Sequence, residues 1–190
     1  MRRLILSINT TLDGYMAGPR GELDWHMQQF NDEMGEYAFQ QLDRADTILL
    51  GRVTYEAMAN FWPTAFKDPG SRKADVEFAN MMNNYPKIVF SKTLSAVQWN
   101  NSRLVTGDIE REILHLKRQP GKDMIMWGGV GIVSSFIQMG LIDEYRISIA
   151  PVLLGNGMKP QTHSMKTHNL TLLDTTTFSN GVVLLCYQRA

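Results

Sequence analysis

Residues suited to hold a phosphate group lie where the apolar run Thr47–Leu50 is followed by Gly51. Arg52 and Thr54 come next, within a stretch that has a helical pattern of apolar residues. Backbone N–H groups are free at the start of a helix, and the helix dipole favours an anion there. Arg52 adds a forked guanidinium, and Thr54 adds a hydroxyl donor. This junction therefore predicts a phosphate site, with a plain strand-to-helix turn as the alternative.

A second junction contains three glycines within four positions. The residues that follow the apolar run Met124–Trp127 are Gly128, Gly129, Val130, Gly131 and Ile132. Glycines at such a turn allow a ligand to approach the backbone closely. The spacing differs from the G-x-G-x-x-G dinucleotide fingerprint, because Ser134 stands where its last glycine would be. A ligand site is expected here, and a tight turn without a ligand is the alternative.

These junctions need a sheet that brings the ends of strands together. Short apolar runs alternate with helical patterns, which predicts one α/β domain over residues 1–190, with a mostly parallel sheet flanked by helices. No element is predicted for the polar, mixed segment 18–31. Asn180-Gly181 predicts a C-terminal antiparallel hairpin, because both residues can take positive φ. Ser91 and Lys92 follow another predicted strand and would reach the same edge as the two junctions.

Composition narrows the classes of function. The 190 residues include 19 Lys or Arg and 19 Asp or Glu, so the chain lacks the basic surplus typical of nucleic-acid binders. Cys186 is the only cysteine, which excludes a disulfide within the chain and a cysteine-based zinc site. The first apolar stretch is too short for a signal peptide or a membrane span, so a cytoplasmic protein is expected. No metal is expected either, because the histidines lack a metal-binding spacing; they are His26, His115, His163 and His168.

Six blocks of sequence extend over nearly the whole chain: Thr11–Ala17, Gly51–Tyr55, Lys87–Lys92, Gly128–Gly129, Leu141–Tyr145 and Ala150–Gly155. In this order they resemble the dihydrofolate reductase fold. They are most similar to the reductase domain of the riboflavin-pathway bifunctional deaminase-reductase. The last block is specific to the riboflavin-type branch, whereas the Gly-Arg-x-Thr block is shared across the wider superfamily.

The resemblance implies that NADPH binds across the carboxyl edge of the sheet. Arg52 and Lys92 would face its ribose phosphate, while Thr54 and the turn 128–132 would hold its pyrophosphate. Ala17 would lie beside the nicotinamide. The cofactor would then supply the chemistry, and the protein would position it against a substrate. The remaining members of the expected cofactor site are Gly51 and Ser91.

The substrate side departs from the family pattern. Riboflavin-pathway reductases tend to carry a glutamate directly before the double glycine, where this chain has Trp127. An indole cannot relay a proton as a carboxylate can, so weak or no activity on the riboflavin-pathway pyrimidine is expected. Asp24, Trp25 and Trp127 are the expected substrate pocket, in which an indole can stack on a flat ring. The catalytic group stays open, with Asp13 and Asp32 as the candidates.

The sequence therefore predicts an NADPH-dependent reductase of a small nitrogen heterocycle. A ribosylaminopyrimidine is the first substrate considered, and a pterin or folate is the second. A zinc deaminase needs a cysteine pair that this chain lacks, so only a reductase is expected. A homodimer without membrane or nucleic-acid partners is predicted. The alternative from another class is a nucleotide-binding dimeric module without catalysis, because a fold alone does not fix a function.

Overall fold

The structure is a computed structural model that describes residues 1–160 and 167–190. The strands in these ranges are β1 (Leu4–Thr11), β2 (Ala45–Gly51), β3 (Lys87–Phe90), β4 (Ser102–Val105), β5 (Asp123–Met126), β6 (Glu144–Ala150), β7 (Leu170–Thr177) and β8 (Val183–Arg189). The helices are α1 (Asp24–Gln29), α2 (Asp32–Asp43), α3 (Arg52–Phe61), α4 (Lys73–Asn84), α5 (Ile109–Arg118) and α6 (Val130–Gln138). Within the same ranges, no helix has the length and apolar character needed to cross a membrane.

These strands join one sheet in the order β4-β3-β2-β5-β1-β6-β8-β7. Strands β1 to β6 pair in parallel, whereas β8 is antiparallel to both β6 and β7. The predicted fold class is therefore confirmed: a mostly parallel sheet, flanked by helices, with a C-terminal antiparallel hairpin. Because the first six strands run the same way, their carboxyl ends meet at one edge of the sheet.

The hairpin turn differs from its prediction in detail. Gly181 N donates to Phe178 O, and Phe178 N donates to Val182 O, which defines a three-residue loop. Only Gly181 in this loop has positive φ, at 83°. This is a turn followed by a left-handed glycine, rather than a two-residue turn with positive φ at both positions. Asn180 instead uses its side chain, whose amide donates to Gln29 O and accepts from Val182 N.

Helices α5 and α6 cover one face of the sheet, which we call the α5–α6 face. Leu6 of β1 and Met126 of β5 are buried there against Ile113 of α5 and Phe136 of α6. The strands contribute alternate residues, as the pleat of a sheet requires. The remaining alternate residues therefore point to the opposite face.

The opposite face, the α1–α4 face, carries two separate apolar clusters. The β2–β5 cluster lies over β2, β3 and β5, where Leu50 packs with Tyr55 of α3 and Met82 of α4. The β6–β8 cluster lies over β6 and β8, where Leu184 packs with Trp25 of α1. Strand β1 stands between β5 and β6 in the sheet. Its side chains on this face therefore lie between the two clusters.

Helix α1 was not predicted from the sequence. It lies in the polar segment 18–31, and Trp25 is its one buried residue. A helix of six residues with a single buried anchor shows no apolar stripe of helical period. The buried indole nevertheless fixes this segment against the β6–β8 cluster.

Candidate active site

Two strand-to-helix junctions lie side by side at the carboxyl edge, because β2 pairs with β5. The side chain of Ile132 fills the space between them. Its Cγ2 atom would lie 2.9 Å from a Cβ added to Gly51 and 2.8 Å from a Cβ added to Gly128. Both positions therefore need glycine for Ile132 to occupy this space. A Cβ added to Gly129 would lie 3.6 Å from the Thr54 hydroxyl oxygen, so Thr54 also stands against the second junction.

The glycines of the second junction differ in what they permit. None of them has positive φ, so the turn does not require their backbone freedom. At Gly128 the close neighbour is the protein's own Ile132, rather than space left for a ligand. At Gly131 an added Cβ would meet no atom within 4 Å. Room for the predicted close approach of a ligand is thus found beside Gly131.

Helices α3 and α6 begin at this edge without a side-chain cap. Their N-cap residues are Gly51 and Gly129, and neither helix start donates a capping hydrogen bond to a side chain. Helices α1 and α4 also begin without a side-chain cap, whereas Asn31 caps α2 and Asp108 caps α5 through side-chain oxygens. The first-turn N–H groups of α3 and α6 are therefore free to donate, and both helix dipoles favour an anion here.

Arg52 is the first residue of α3 and lies at the same edge. Its Nη1 atom makes an ion pair with Glu56 Oε2 at 2.9 Å, one helical turn further on. The Arg52 side chain is 46% exposed, so solvent screens this pair. The guanidinium therefore has an intramolecular partner that a bound phosphate would have to replace.

Ser91 and Lys92 follow β3, whose last residue, Phe90, pairs with Gly51. The Ser91 Oγ atom accepts hydrogen bonds from the backbone N–H groups of Thr93 and Leu94, at 3.1 and 3.0 Å. This hydroxyl thus supports its own turn. Lys92 is exposed, and it makes no ion pair with any residue in the two described ranges. The structure brings it to the strand end next to Arg52, as the sequence predicted.

Asp13 joins the turn after β1 to the segment that follows β6. Its carboxylate accepts hydrogen bonds from Thr11 Oγ1 at 2.6 Å and from the backbone N–H of Gly155 at 2.8 Å. The backbone N–H of Leu154 donates to the same group. The Thr11 hydroxyl and these N–H groups lower the pKa of Asp13 to about 2. The carboxylate is therefore ionised at neutral pH.

Ala17 is buried, and its backbone is fixed by the segment after β6. Ala17 O accepts from Met158 N at 2.8 Å, and Met16 N donates to Met158 O at 2.9 Å. A Cβ on Gly157 would lie 2.3 Å from Ala17 O, so only glycine permits this approach. Two blocks that the sequence shows far apart, 11–17 and 150–155, thus form a single structural unit with residues 157–158. We call this unit the clasp.

The three expected substrate residues lie at different depths. Trp127 follows β5, is partly buried with the β2–β5 cluster, and lies 6.4 Å from the Phe78 ring, centroid to centroid. Trp25 is 7% exposed, and its indole N–H has no hydrogen-bond partner among residues 1–160 and 167–190. Asp24 is exposed at the start of α1. The two indoles thus border the β1 strand from the two apolar clusters, one on each side.

Asp32 does not lie at a strand end. Its side chain is 83% exposed and makes an ion pair with Arg72 Nη1 at 2.6 Å, which ties the start of α2 to the start of α4. Burial raises the pKa of the Cys186 thiol and lowers the pKa of His26. His163 lies outside the described residues. Within residues 1–160 and 167–190, no group of three or more His, Cys, Asp or Glu side chains is close enough to hold a metal ion.

A groove lies at the opposite, amino edge of the sheet. It measures about 740 Å³ and runs between α5 and the starts of β2, β3 and β4. Its charges are already paired, Arg2 with Asp46 and Arg103 with Glu112. Size alone therefore does not mark this groove as the site, whereas the carboxyl edge has two uncapped helix starts together with Arg52 and Lys92.

The geometry can be compared with known proteins. The family model of the RibD C-terminal domain matches residues 2–184. The chain belongs to this family. An uncharacterized protein of Bacillus subtilis strain 168, YyaP, is 38% identical over 187 residues, which are 98% of this chain and 94% of that protein. The RibD protein of Corynebacterium ammoniagenes, named for riboflavin biosynthesis, is 25% identical over 84% of this chain but only 46% of its own length.

Solved structures confirm the fold expected of a RibD C-terminal domain. A Shewanella sp. PV-4 protein, whose name assigns it to riboflavin biosynthesis, is 24% identical with a TM-score of 0.76, covering 99% of both chains. The Thermotoga maritima deaminase and 5-amino-6-(5-phosphoribosylamino)uracil reductase is 17% identical with a TM-score of 0.68. The match covers this whole chain and 57% of that one. Enterococcus faecalis dihydrofolate reductase in complex with NADP(H) is 13% identical with a TM-score of 0.61. The match covers 98% of this chain and 96% of that one.

The sequence assigned no role to the two residues whose backbone N–H groups donate to Asp13. Leu154 and Gly155 stood in a block that carried the resemblance, but nothing in that block indicated a partner 141 residues away. Gly155 has a φ of 74°, and a glycine in a polar loop was the only available signal. Asn9 and Ser148, on β1 and β6, were likewise not singled out, and their surroundings are described below.

Proposed function

We propose that this protein is an NADPH-dependent reductase of a small nitrogen heterocycle. One observation carries the proposal: two uncapped helix starts and the cations Arg52 and Lys92 occur together at the ends of β2, β3 and β5. Free N–H donors, helix dipoles and cations are what the phosphates of a dinucleotide need. Membership of a reductase-like family and a fold neighbour that binds NADP(H) support this choice of ligand.

Arg52 would read the ribose phosphate that distinguishes NADPH from NADH. To do so, it exchanges its ion pair with Glu56 for the phosphate. An exposed pair of this spacing contributes only about 0.2–0.5 kcal/mol to a helix. A phosphate offers paired, charge-assisted hydrogen bonds worth about 1.5–3 kcal/mol each. The exchange therefore favours the phosphate, with Lys92 adding a second cation.

The pyrophosphate would lie across the two junctions. Thr54 contributes its hydroxyl, and the starts of α3 and α6 contribute backbone N–H groups. Ile132, wedged between Gly51 and Gly128, keeps the junctions at a fixed separation. The bound cofactor supplies a hydride, and these residues supply its position.

The clasp gives Ala17 the stiffness to form a wall beside the nicotinamide. Because both backbone bonds of this segment go to Met158, Ala17 stays in place when a ligand arrives. Asp13 is assigned to the clasp and not to proton transfer, since a group with a pKa of about 2 holds no proton at neutral pH. Asp32 is assigned to its ion pair with Arg72, because it does not lie at a strand end. Trp25 and Trp127 would face the substrate ring.

The test is the near-ultraviolet absorbance of NADPH with purified protein and a panel of pyrimidines and pterins. We expect the absorbance to fall with at least one neutral heterocycle and to stay constant without protein. Arg44→Ala, which changes an exposed arginine before β2, is the matched control and keeps full activity. Tight NADPH binding without turnover of any compound would favour a non-catalytic nucleotide-binding module. No NADPH binding at all would refute the proposal.

A further inference from the structure

Three polar side chains line the middle of the α1–α4 face at its carboxyl half. Ser7 and Asn9 lie on β1, and Ser148 lies on β6 directly opposite Asn9. They share this face because Leu6 and Ile8, the alternate residues of β1, belong to the core of the α5–α6 face. All three stay partly exposed although β1 and β6 are interior strands. Interior strands of a sheet with helices on both faces are normally covered by apolar side chains.

The cover of this column changes along its length. At the amino half, Ile5 is buried, and Arg146 is sealed by Glu144 and by Gln41 of α2, with Arg146 Nε 2.6 Å from Glu144 Oε1. Beyond this cover, Asn9 and Ser148 are partly exposed among the described residues. Neither side chain makes a hydrogen bond to any residue in the described ranges. Thr11 and Ala150, the next residues on this face, are buried again at 1% and 4% exposed, so the partly exposed stretch lies between covered ends.

The partly exposed stretch has an indole on each side. Trp127 lies one residue beyond the Leu6–Met126 pair of β1 and β5, which places it beside Ser7. Trp25 packs on Ala150 and Leu184, which neighbour Ser148 along β6 and across on β8. Adjacent strands are about 4.8 Å apart. A flat heterocycle lying across β1 and β6 would therefore reach both Asn9 and Ser148.

We infer that Asn9 and Ser148 are specificity-determining residues that hydrogen-bond a neutral ring edge carrying both a donor and an acceptor. The inference rests on the proposed function, since the substrate would lie here beside the cofactor. An Asn amide donates and accepts at once, and a Ser hydroxyl can do either. The pair thus complements a lactam edge, in which N–H stands next to C=O.

The charged side chains beside the partly exposed stretch are paired with each other, so they do not serve as counter-ions for a charged ring. Arg146 and Glu144 face this column, but they satisfy each other within the cover of α2. A protonated amidine edge, which offers only donors, would leave the Asn9 N–H groups facing other donors. A buried charge without a counter-ion is costly, so such rings are disfavoured.

The test measures binding of two pteridines by calorimetry in saturating NADP⁺. Lumazine has a lactam edge, and 2,4-diaminopteridine has an amidine edge that protonates. We expect wild-type protein to prefer lumazine. Asn9→Leu and Ser148→Ala should each weaken lumazine by about tenfold, the loss of one hydrogen bond. Asn9→Asp should reverse the preference, because a carboxylate pairs with the protonated amidine.

Thr10→Val is the matched control, since Thr10 is a partly exposed residue of the same strand half that points to the other face. It should leave both affinities unchanged. Cofactor affinity should stay the same in all four variants. Lumazine binding that is absent in wild type, or insensitive to Asn9 and Ser148, overturns the inference while leaving the reductase proposal intact. Failure of NADP⁺ and NADPH to bind wild type overturns the proposed function instead.

Discussion

At the scale of single residues, two tryptophans offer a direct comparison. Trp25 and Trp99 are 7% and 6% exposed. The Trp99 indole N–H donates to Asn83 Oδ1 at 2.8 Å, whereas that of Trp25 has no partner in the part of the chain that the structure describes. A buried donor without an acceptor costs about 1–3 kcal/mol of folding free energy. The two side chains therefore contribute differently to the stability of the fold, although their burial is alike.

We therefore expect Trp99→Phe to lower the free energy of unfolding by at least about 1 kcal/mol more than Trp25→Phe does. The first change leaves the Asn83 oxygen unpaired, and the second removes an unpaired donor. Urea unfolding of both variants and of wild type measures the difference. Equal losses would show that the Trp25 indole has a hydrogen-bond partner in solution.

Asp13 makes the clasp sensitive to acid. Its pKa falls from an ordinary 3.8 to about 2 on folding, so the folded protein favours the ionised form. The resulting stabilisation is complete above pH 3.8 and disappears as the pH falls through about 2. We expect Asp13→Asn to be less stable than wild type at neutral pH, with a gap that narrows over this acidic range. A gap that stays constant between neutral pH and pH 2 would contradict this account.

At the scale of elements, the glycines of the second junction have separate tasks. Gly128→Ala would place a Cβ 2.8 Å from Ile132, so we expect lower stability and weaker NADPH binding together. Gly131→Ala is the matched variant, because its Cβ meets nothing within 4 Å and the residue lies in the first turn of α6. It should keep or raise stability, as alanine favours a helix, yet weaken NADPH. Thermal unfolding and cofactor titration separate the two effects. Unchanged NADPH affinity in Gly131→Ala would show that the cofactor does not bind at this turn.

The sequence predicted elements better than contacts between elements. Apolar runs such as Thr47–Leu50 mark buried parallel strands, because both of their faces are covered. Helix α1 escaped prediction, since one buried Trp25 leaves no periodic pattern. At Gly128 the structure adds a steric reason for glycine that the sequence could not show, because the close neighbour of an added Cβ is Ile132. Asn9 looked like an ordinary polar residue of a strand, and only the sheet order shows that it stands in a partly exposed column.

At the scale of the whole molecule, the edge strand β7 is exposed along nearly its full length. Leu170, Leu172 and Leu173 are 38%, 53% and 47% exposed. An exposed edge strand with apolar side chains favours pairing with another chain. The predicted homodimer would cover this strand, which makes β7 our proposed interface.

We expect wild-type protein to be a dimer by light scattering and Leu172→Glu to be a monomer. A charge in the centre of an apolar interface is strongly unfavourable. Leu114→Glu, an equally drastic change of an exposed leucine on α5, should leave the dimer intact. A wild-type monomer over a wide concentration range would remove β7 as an interface.

The central claim is that the carboxyl edge binds NADPH and that Arg52 reads its ribose phosphate. Titration of wild type, Arg52→Ala and Glu56→Gln with NADPH and NADH at fixed salt tests it most directly. Loss of paired bonds of about 1.5–3 kcal/mol predicts that Arg52→Ala weakens NADPH by roughly tenfold to a hundredfold and barely changes NADH. Glu56→Gln should bind NADPH at least as tightly as wild type, because it frees the guanidinium. Equal losses for NADPH and NADH in Arg52→Ala would contradict the claim and return Arg52 to its ion pair with Glu56.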